Sequence, residues 1–378
     1  MAPALSQIQK EAQLSARKFA EDVLKPAAQR VDTEAEFPSD AVRAMADLGF
    51  TGLSVPEEYG GLNRDALTIC LVTEELARGC PSTAGVLMAF VIGIQPIVRF
   101  GTAEQKRTYL PDLAIAKRSI CFAVTEAHTG SDVSAISTTA KREGDGWRLS
   151  GVKTLIGNAV NADLCILAAK TDAGVSVFIV DARSPGYSVS KVYEKMGMRG
   201  TTTGEITLDN VHVPNLGLVG VEGRGASLLL GTLDLARLTL AAEAIGIAQR
   251  ALEEALSYSL QRSTFGKQIS EYQAIQFMIA DMATSIHASR VMLHDACQLA
   301  DGGQSFTREA AMVKLFSSEM ANRAADTALQ VRGGWGLVDR STVERLYRDA
   351  RYTRIWEGTS EIQRLVIFRS LLKTERGG

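Results

Sequence analysis

An excess of charge of one sign is missing from this 378-residue sequence. Its 41 lysine and arginine residues nearly balance 43 aspartate and glutamate residues, leaving a formal net charge of −2. Nucleic acids and anionic membrane surfaces attract proteins with a basic excess, so this balance indicates neither partner. Hydrophobic residues make up 46% and charged residues 22% of the chain, as in an ordinary globular protein with a large core.

Cysteine and histidine are scarce and scattered. Five cysteines without a C-x-x-C pair and four histidines form neither a disulfide framework nor a metal-ligand pattern. His287 and His294 have a spacing that suits one helix face, but no third ligand accompanies them. We therefore predict a reduced, cytoplasmic protein without a metal site.

Long hydrophobic runs are also missing. Lys10 and Glu11 stand where a secretory signal needs an apolar stretch. Residues 80–98 lack charge but include Gln95 and two prolines, and their strongly apolar part, residues 84–94, is shorter than the ~20 residues of a membrane-spanning helix. The sequence predicts a buried core helix here and no membrane span.

Hydrophobic periodicity divides the chain into three predicted domains. Residues 1–117 have apolar residues at three- and four-residue steps and predict a helical domain. Residues 118–223 contain short β-branched runs and an Asp145-Gly146 hairpin signal, which predict an antiparallel β-barrel or sandwich. Residues 224–378 predict a bundle of four helices. The predicted fold is α+β, because no helices separate the strands as a parallel doubly wound sheet requires.

The phosphate-binding and nucleophile signatures of common enzyme folds are missing, namely G-x-x-x-x-G-K-[ST], G-x-G-x-x-G after a strand, and G-x-S-x-G. Two other segments carry candidate binding chemistry. Residues 124–132 offer hydroxyls and backbone N–H groups at a strand end, although an ordinary polar turn has the same composition. Residues 262–268 begin with Arg262, which suits a diphosphate or simply complements a helix dipole.

A third segment, residues 355–364, places Glu357 next to Trp356 on a loop. Ser360 and Gln363 have capping-box spacing, so we expect the last helix to begin just after Ser360. A carboxylate in an apolar pocket has a raised pKa, which makes it a useful base near neutral pH. A solvated loop glutamate is the alternative that these residues leave open.

Together these segments resemble the acyl-CoA dehydrogenase family, of the short-, medium- or branched-chain type. The resemblance covers nearly the whole chain and rests on P-E-E-Y-G-G at 56–61, V-T-E-A-H-T-G-S-D at 124–132, L-D-L-A-R at 233–237, R-S-T-F-G at 262–266, Q-V-R-G-G at 330–334, E-R-L-Y-R-D-A-R at 344–351 and I-W-E-G-T-S-E-I-Q-R-L at 355–365. It implies an α-helical domain, a β-domain and a C-terminal four-helix bundle, with FAD as cofactor and acyl-CoA as substrate. It also implies a homotetramer built as a dimer of dimers and an electron-transfer flavoprotein as acceptor.

The same resemblance implies roles for single residues. Glu357 becomes the general base that takes the α-proton while hydride passes to flavin N5, giving the trans-2-enoyl thioester. Ala236 occupies the position where isovaleryl-type members carry their base, so Glu357 has no rival there. Cofactor contacts are implied for Phe122, Val124, Thr125, Gly130, Ser131, Leu155, Ile156, Gly157, Arg262, Thr264, Gln273, Gln330, Gly333, Gly334, Thr359 and Glu361. Substrate contacts are implied for Ser131, Asp234, Arg237 and Gly358. The contacts of residues 262–273 and 330–334 are expected to reach the FAD of a neighbouring subunit.

Departures from the family pattern lie at the expected flavin edge. Leu155 replaces a usual tryptophan, Gly157 a usual threonine, and Ala127-His128 a usual Pro-Gly pair. They leave open an acyl-CoA oxidase or a dehydrogenase of carrier-protein thioesters. A flavin monooxygenase is a further alternative, which the intact Glu-Gly-Thr sequence at 357–359 disfavours. A catalytically silent assembly or regulatory subunit is another, which the presence of Glu357, Arg262 and residues 330–334 disfavours. Acyl chain length and pathway are not predicted.

Overall fold

Six helices form the first part of the chain in the computed structural model, which describes residues 4–338 and 340–375. They are α1 (Gln7–Phe19), α2 (Lys25–Glu34), α3 (Ser39–Asp47), α4 (Ala66–Gly79), α5 (Pro81–Phe100) and α6 (Ala103–Ala114). A π-helical turn, Ala20–Leu24, joins α1 to α2, so the helical run that begins at Gln7 continues to Glu34.

Reciprocal capping boxes stand at the start of two of these helices, α1 and α6. The Ser6 hydroxyl accepts a hydrogen bond from the backbone N–H of Gln9 at 3.2 Å, and the Gln9 side chain accepts one from the N–H of Ser6 at 2.9 Å. Thr102 and Gln105 repeat this arrangement at α6. Each reciprocal pair satisfies two N–H groups that a helix start leaves unpaired. Helices α1 and α6 therefore begin at fixed positions.

Helix α5 contains the uncharged apolar stretch. Among the described residues it is the one helix long and apolar enough to cross a membrane. However, 78% of its most apolar 18-residue stretch is buried inside the protein. Neighbouring elements therefore cover the apolar surface that an isolated helix would expose. The predicted core helix is confirmed.

A mixed eight-stranded sheet follows the helices. Its strands are β1 (Ile120–Ala123), β2 (Thr139–Glu143), β3 (Gly146–Gly157), β4 (Leu164–Thr171), β5 (Gly174–Asp181), β6 (Tyr187–Val192), β7 (Thr203–Pro214) and β8 (Leu218–Val219). They lie in the order β6-β7-β3-β2-β4-β5-β8, with β1 next to β4. The predicted hairpin joins β2 to β3, although Gly144 and Asp145 are its two turn residues because Glu143 pairs with Gly146.

Antiparallel pairing predominates in this sheet, as predicted, but β4 is an exception. It runs parallel to β1 along four residue pairs and parallel to β2 at one pair. The chain leaves β1 and passes through the β2–β3 hairpin before it returns in β4, which is long enough for a parallel crossover. The sheet has its own core, where Trp147 and Phe178 meet edge to face at 5.4 Å.

Five helices complete the described chain. They are α7 (Gly225–Gln261), α8 (Gln273–Asp301), α9 (Thr307–Arg332), α10 (Thr342–Tyr352) and α11 (Ser360–Glu375). A short hairpin of β9 (Ser263–Thr264) and β10 (Lys267–Gln268) follows α7. The four long helices α7, α8, α9 and α11 agree with the predicted bundle, whereas α10 was not predicted.

Helix α7 connects the regions of the molecule. It packs on α4 and α5 from the first region and on α8 and α9 from its own. Gly246 permits a close approach to α4, because a Cβ there would lie 2.2 Å from the Glu74 carbonyl oxygen. Residues of β1, α5, α7 and the loop between α10 and α11 meet in one apolar cluster at this junction.

Candidate active site

The loop between α10 and α11 contains an unusual turn at Glu357 and Gly358. Both residues have a left-handed backbone, with φ values of 54° and 88°. For a residue with a Cβ, this conformation costs about 1–2 kcal/mol. At Gly358 a Cβ would also lie 2.7 Å from Nε2 of Gln363. The surrounding structure must therefore hold this turn in place.

Two buried side chains hold the carbonyl groups of the turn. Nζ of Lys314 donates a hydrogen bond to the Gly358 carbonyl oxygen at 2.6 Å. Nε2 of Gln363 donates to the carbonyl oxygens of Gly358 at 2.9 Å and Glu357 at 3.1 Å. Lys314 and Gln363 are both fully buried, so water does not compete for these bonds. The backbone around the Glu357 carboxyl group is consequently fixed.

Helix α11 begins differently from the prediction. It starts at Ser360, and the Thr359 hydroxyl accepts a hydrogen bond from the N–H of Ile362 at 3.3 Å. The predicted capping box is wrong because Gln363 points to the loop carbonyls instead of a helix N–H. Glu361 is exposed in the first turn, where a backbone N–H group lowers its pKa.

The Glu357 carboxyl group is half-buried, with two cations nearby. Burial raises its pKa above the ordinary carboxyl value, while the charges of Lys314 and Arg237 oppose that rise. Burial also lowers the pKa of Lys314 to about 7 and lowers that of Arg237. A carboxyl group with a raised pKa is suited to exchange a proton near neutral pH.

An apolar cluster lies between α5 and α7 beside this loop. Its buried members are Met88, Ile92, Ala236 and Leu240, and half-buried Phe122, Leu233 and Trp356 pack against them. Nε1 of Trp356 is buried without a hydrogen-bond partner among the described residues. The cluster gives the site an apolar wall, which suits an alkyl chain.

Two predicted substrate contacts, Asp234 and Arg237, form a buried ion pair. Nη1 of Arg237 lies 2.6 Å from Oδ1 of Asp234, and the Thr307 hydroxyl donates to Oδ2 of Asp234 at 2.6 Å. Arg237 is only 4% exposed. The structure therefore places the pair next to Glu357, but leaves little of its surface free for a ligand.

Glu126 fixes the predicted flavin-contacting segment, residues 124–132. It is buried and accepts hydrogen bonds at 2.6–2.9 Å from the N–H and hydroxyl groups of Ser137 and Thr138. Nζ of Lys153 donates to it at 2.8 Å and to the Val124 carbonyl oxygen at 3.1 Å. Burial raises the pKa of Glu126, but hydrogen bonds from Lys153, Ser137 and Thr138 outweigh that effect and hold the pKa far below its usual range.

This segment lies beside the end of β3, as expected for two parts of one binding surface. The N–H of Thr154 donates to the Thr125 carbonyl oxygen at 2.9 Å. Leu155 is 63% exposed, and a Cβ at Gly130 or Gly157 would meet no atom within 4 Å. Ile156 is different, because its side chain is buried in the sheet core.

A second group of predicted site residues surrounds an open cavity of about 550 Å³ at the other end of α7. Its lining residues are Tyr258, Arg262, Thr264, Ile269, Val331, Arg332, Gly333, Gly334, Trp335 and Val338. In the described part of the chain, the Arg262 guanidinium has no hydrogen-bond or ion-pair partner. Gln273 and Gln330 are exposed and do not line this cavity. A free guanidinium beside glycine backbone suits an anionic group such as a diphosphate.

The two groups of residues lie far apart within one chain. Arg237 and Arg262 are 25 positions apart in the sequence, which corresponds to about 37 Å along a helix axis. The structure thus brings Glu357, Gly358, Asp234 and Arg237 together but leaves Arg262 and its neighbours at a separate place.

Sequence reasoning missed three residues of this site, namely Lys314, Gln363 as a loop clamp, and Trp356 as a wall. Lys314 was detectable as a lone charge in the apolar run A-A-M-V-K-L-F at 310–316, because lysine is almost never buried without a partner. Among residues 4–338 and 340–375, no three His, Cys, Asp or Glu side chains lie close enough to hold a metal ion.

Comparison with known families accounts for this architecture. The acyl-CoA dehydrogenase N-terminal domain matches residues 6–117, the middle domain residues 121–211 and the C-terminal domain residues 223–372. The chain belongs to the acyl-CoA dehydrogenase family. Its members are oxidoreductases, and the resemblance read from the seven sequence segments is confirmed.

Two relatives with named activities are about 40% identical in sequence to this chain. The mitochondrial short-chain specific acyl-CoA dehydrogenase of Bos taurus is 42% identical, over 95% of this chain and 89% of the relative. The 3-(aryl)acrylate reductase of Clostridium sporogenes is 40% identical, over 95% of this chain and 97% of the relative.

Solved structures show the same fold. Butyryl-CoA dehydrogenase from Megasphaera elsdenii has a TM-score of 0.96 and 35% identity, covering 98% of this chain and 100% of that chain. PigA, solved with FAD and proline, has a TM-score of 0.94 and 32% identity, covering 98% and 99%. A chain in the structure of the electron transferring flavoprotein of Acidaminococcus fermentans has a TM-score of 0.97 and 38% identity, covering 99% and 100%.

Proposed function

We propose that this protein dehydrogenates an acyl-CoA thioester between Cα and Cβ, giving the trans-2-enoyl-CoA, with Glu357 as the general base. One observation carries this proposal: the Glu357 carboxyl group is held on a rigid left-handed turn beside an apolar wall. Its half-buried position raises its pKa, which prepares it to accept a proton from carbon.

The backbone of the same turn supports activation of the substrate. In the described hydrogen-bond network the N–H of Glu357 has no acceptor, so it is free to donate to the thioester carbonyl oxygen. A donor at this oxygen stabilises the negative charge that develops when the α-proton leaves. Lys314 and Gln363 hold this N–H and the carboxyl group in one fixed relation.

The residues present also fit FAD. The free Arg262 guanidinium and the exposed backbone of Gly333 and Gly334 provide donors for a diphosphate, while the open strand ends at Gly130 and Gly157 leave room for a flat ring. When bound, FAD supplies the oxidant that accepts the β-hydrogen as hydride. Leu155 and Trp356 would limit the access of water to this region, because both present apolar surface.

The distance along α7 supports a site shared between two chains. Arg262 is too far from Glu357 for both to reach one cofactor within a chain, so we propose that a second copy contributes Arg262, Thr264 and the segment from Gln330 to Gly334. A dimer is then required for cofactor binding, and pairs of dimers give the proposed tetramer. An electron-transfer flavoprotein is the proposed acceptor.

Anaerobic titration with a series of acyl-CoA thioesters tests the reaction. The FAD absorbance should bleach with one chain-length class, and Glu357→Gln should retain FAD but lose substrate-dependent bleaching by about 10³- to 10⁴-fold in rate. Glu104→Gln, at an exposed position on α6, is the matched control and should behave as wild type.

Two results would oppose this proposal in different ways. Bleaching retained by Glu357→Gln would remove Glu357 as the base. Failure of every CoA ester to bleach bound FAD would move the assignment to carrier-protein thioesters or to a monooxygenase. Hydrogen peroxide released at the turnover rate would identify an oxidase instead of a dehydrogenase.

A further inference from the structure

Glu243 is a buried carboxyl group that the proposed reaction does not use. It lies in α7 and is 0% exposed. Neither of its carboxyl oxygens has a hydrogen-bond partner among the described residues. Burying a polar group without a partner costs free energy, so such a group in a folded protein needs an explanation.

The position of Glu243 on α7 places it beside the apolar cluster. Leu240 lies three residues before it and Ala236 seven residues before it, and this spacing puts all three on one face of the helix. Ala236 and Leu240 both contribute to the cluster with Met88 and Ile92. From Ala236 to Glu243 the helix rises by about 10 Å, and side chains tilt back toward the helix start.

The charged groups that act on Glu243 are both carboxylates. Burial raises its pKa well above the ordinary value, and Asp349 and Glu357 raise it further. Glu243 is therefore near enough to Glu357 for their charges to interact, and among the described residues no ion pair offsets its own charge. Burial without a hydrogen-bond partner favours the neutral form of this carboxyl group, which can both donate and accept a hydrogen bond.

We propose that Glu243 is the polar end of the acyl-binding pocket and selects a short acyl-CoA whose chain carries a hydroxyl group near its distal end. This inference rests on the proposed function, because it places the acyl chain between Glu357 and the face of α7. A hydroxyl group can accept a hydrogen bond from a neutral carboxyl group and donate one to its other oxygen, without burying a charge. An alkyl end would leave both carboxyl oxygens of Glu243 without a hydrogen bond. A distal carboxylate would add a third negative group near Glu357 and Asp349.

Four CoA thioesters of nearly equal length test the proposal: hexanoyl-CoA, 5-hydroxypentanoyl-CoA, 5-aminopentanoyl-CoA and glutaryl-CoA. We expect wild-type kcat/KM for 5-hydroxypentanoyl-CoA to exceed that for hexanoyl-CoA by at least about tenfold, the effect of one well-formed hydrogen bond. Glu243→Leu should reverse this ratio in favour of hexanoyl-CoA. The Kd values of the corresponding enoyl-CoA products, measured by titration, should change in the same direction.

Two further variants keep the result interpretable. Glu243→Gln conserves shape and hydrogen bonding, so it should keep a preference for the hydroxylated chain even if the leucine variant does not fold. Glu253→Gln changes a glutamate of the same helix that pairs with Arg78, and it should leave the substrate ratio unchanged.

The outcomes separate this inference from the proposed function. Equal or greater activity with hexanoyl-CoA in wild type, and a ratio that Glu243→Leu does not alter, would overturn the role of Glu243 while leaving the dehydrogenase assignment intact. A preference for the amino or the carboxylate chain would overturn the assigned substrate class. If no thioester reduces bound FAD, both the proposed function and this inference fail.

Discussion

The two ends of helix α7 differ in how completely one chain builds them. At the start, Arg237 is buried and paired with Asp234, and Lys314 holds the Glu357–Gly358 turn. At the end, Arg262 is exposed and has no partner in the described structure. The comparison indicates that the proposed base is prepared before any ligand binds, whereas the proposed diphosphate site is completed by the ligand.

This difference has a physical consequence for the strength of each interaction. Charges at the buried end act through a medium of low dielectric constant, so Lys314 and Arg237 strongly affect the pKa of Glu357. The open cavity at the other end is wet, and single ionic contacts there contribute little unless their geometry is fixed. Bidentate contact with a diphosphate would supply that geometry at Arg262.

Of the changes that test this difference between the two ends of α7, the largest effect is expected on FAD binding at the open end. Arg262→Ala should weaken FAD binding by roughly a hundredfold, because a charge-assisted bidentate contact contributes about 2–3 kcal/mol. Titration of apoprotein with FAD, followed by flavin fluorescence, measures this. Because the Arg262 side chain has no partner among the described residues of its own chain, thermal unfolding of the apoprotein should not change.

The matched control for this change is Arg323→Ala on α9, an exposed arginine outside the cavity. It should bind FAD as tightly as wild type. Equal FAD affinity in both variants would show that Arg262 is a surface residue without a role in cofactor binding.

A smaller effect is expected from the buried end. Lys314→Met removes the donor to Gly358 and a positive charge that lowers the pKa of Glu357, so the kinetic pKa of flavin reduction should rise. The rate at neutral pH should fall by about tenfold, as for the loss of one charge-assisted hydrogen bond. A pH profile of anaerobic flavin reduction gives both quantities, and an unchanged profile would exclude Lys314 as a positioning residue.

The same variant has a stability signature with a defined sign. The pKa of Lys314 is about 7 in the folded protein against 10.5 ordinarily, so the unfolded state binds more protons between these values. Lys314 therefore makes the folded state more stable as pH rises through this range. Urea unfolding at neutral and alkaline pH should show this gain in wild type and a smaller gain in Lys314→Met.

Sequence patterns predicted helices and strands well in segments where apolar residues repeat over a long stretch. The helical, β and helical order follows from the spacing of apolar residues, and the buried α5 follows from an apolar stretch too short to span a membrane. Parallel pairing of β1 with β4 was not predictable from residue types, because it depends on where a strand returns after a hairpin. Helix α10 was missed because it is short and bears many charges.

The site was predicted less completely than the fold. Glu357 and Arg262 were found from short segments that carry chemistry. Gln363 was placed in a capping box because spacing alone does not show that the carbonyls of a left-handed turn need its donors. Ile156 was named with its neighbours, yet its side chain lies in the sheet core, just after an irregularity in the β3–β7 pairing between Lys153 and Ile156.

The smallest expected effect concerns the flavin edge. Leu155 is exposed at the proposed flavin edge, so Leu155→Trp should cover more of the ring and slow oxidation of the reduced cofactor by oxygen a few-fold. Stopped-flow reoxidation in air-saturated buffer measures the rate. A faster reoxidation would show that Leu155 does not lie over the route of oxygen.

Mixing two impaired variants, at an FAD concentration that saturates wild type but not Arg262→Ala, tests most directly whether the two ends of α7 serve one site in different chains. Arg262→Ala and Glu357→Gln subunits are combined by unfolding and refolding together with FAD. If Arg262 acts on the neighbour's cofactor, each mixed dimer contains one site with both native residues, and random mixing restores about a quarter of wild-type activity. If both residues serve a site within their own chain, no mixed dimer contains an intact site, and the mixture stays inactive.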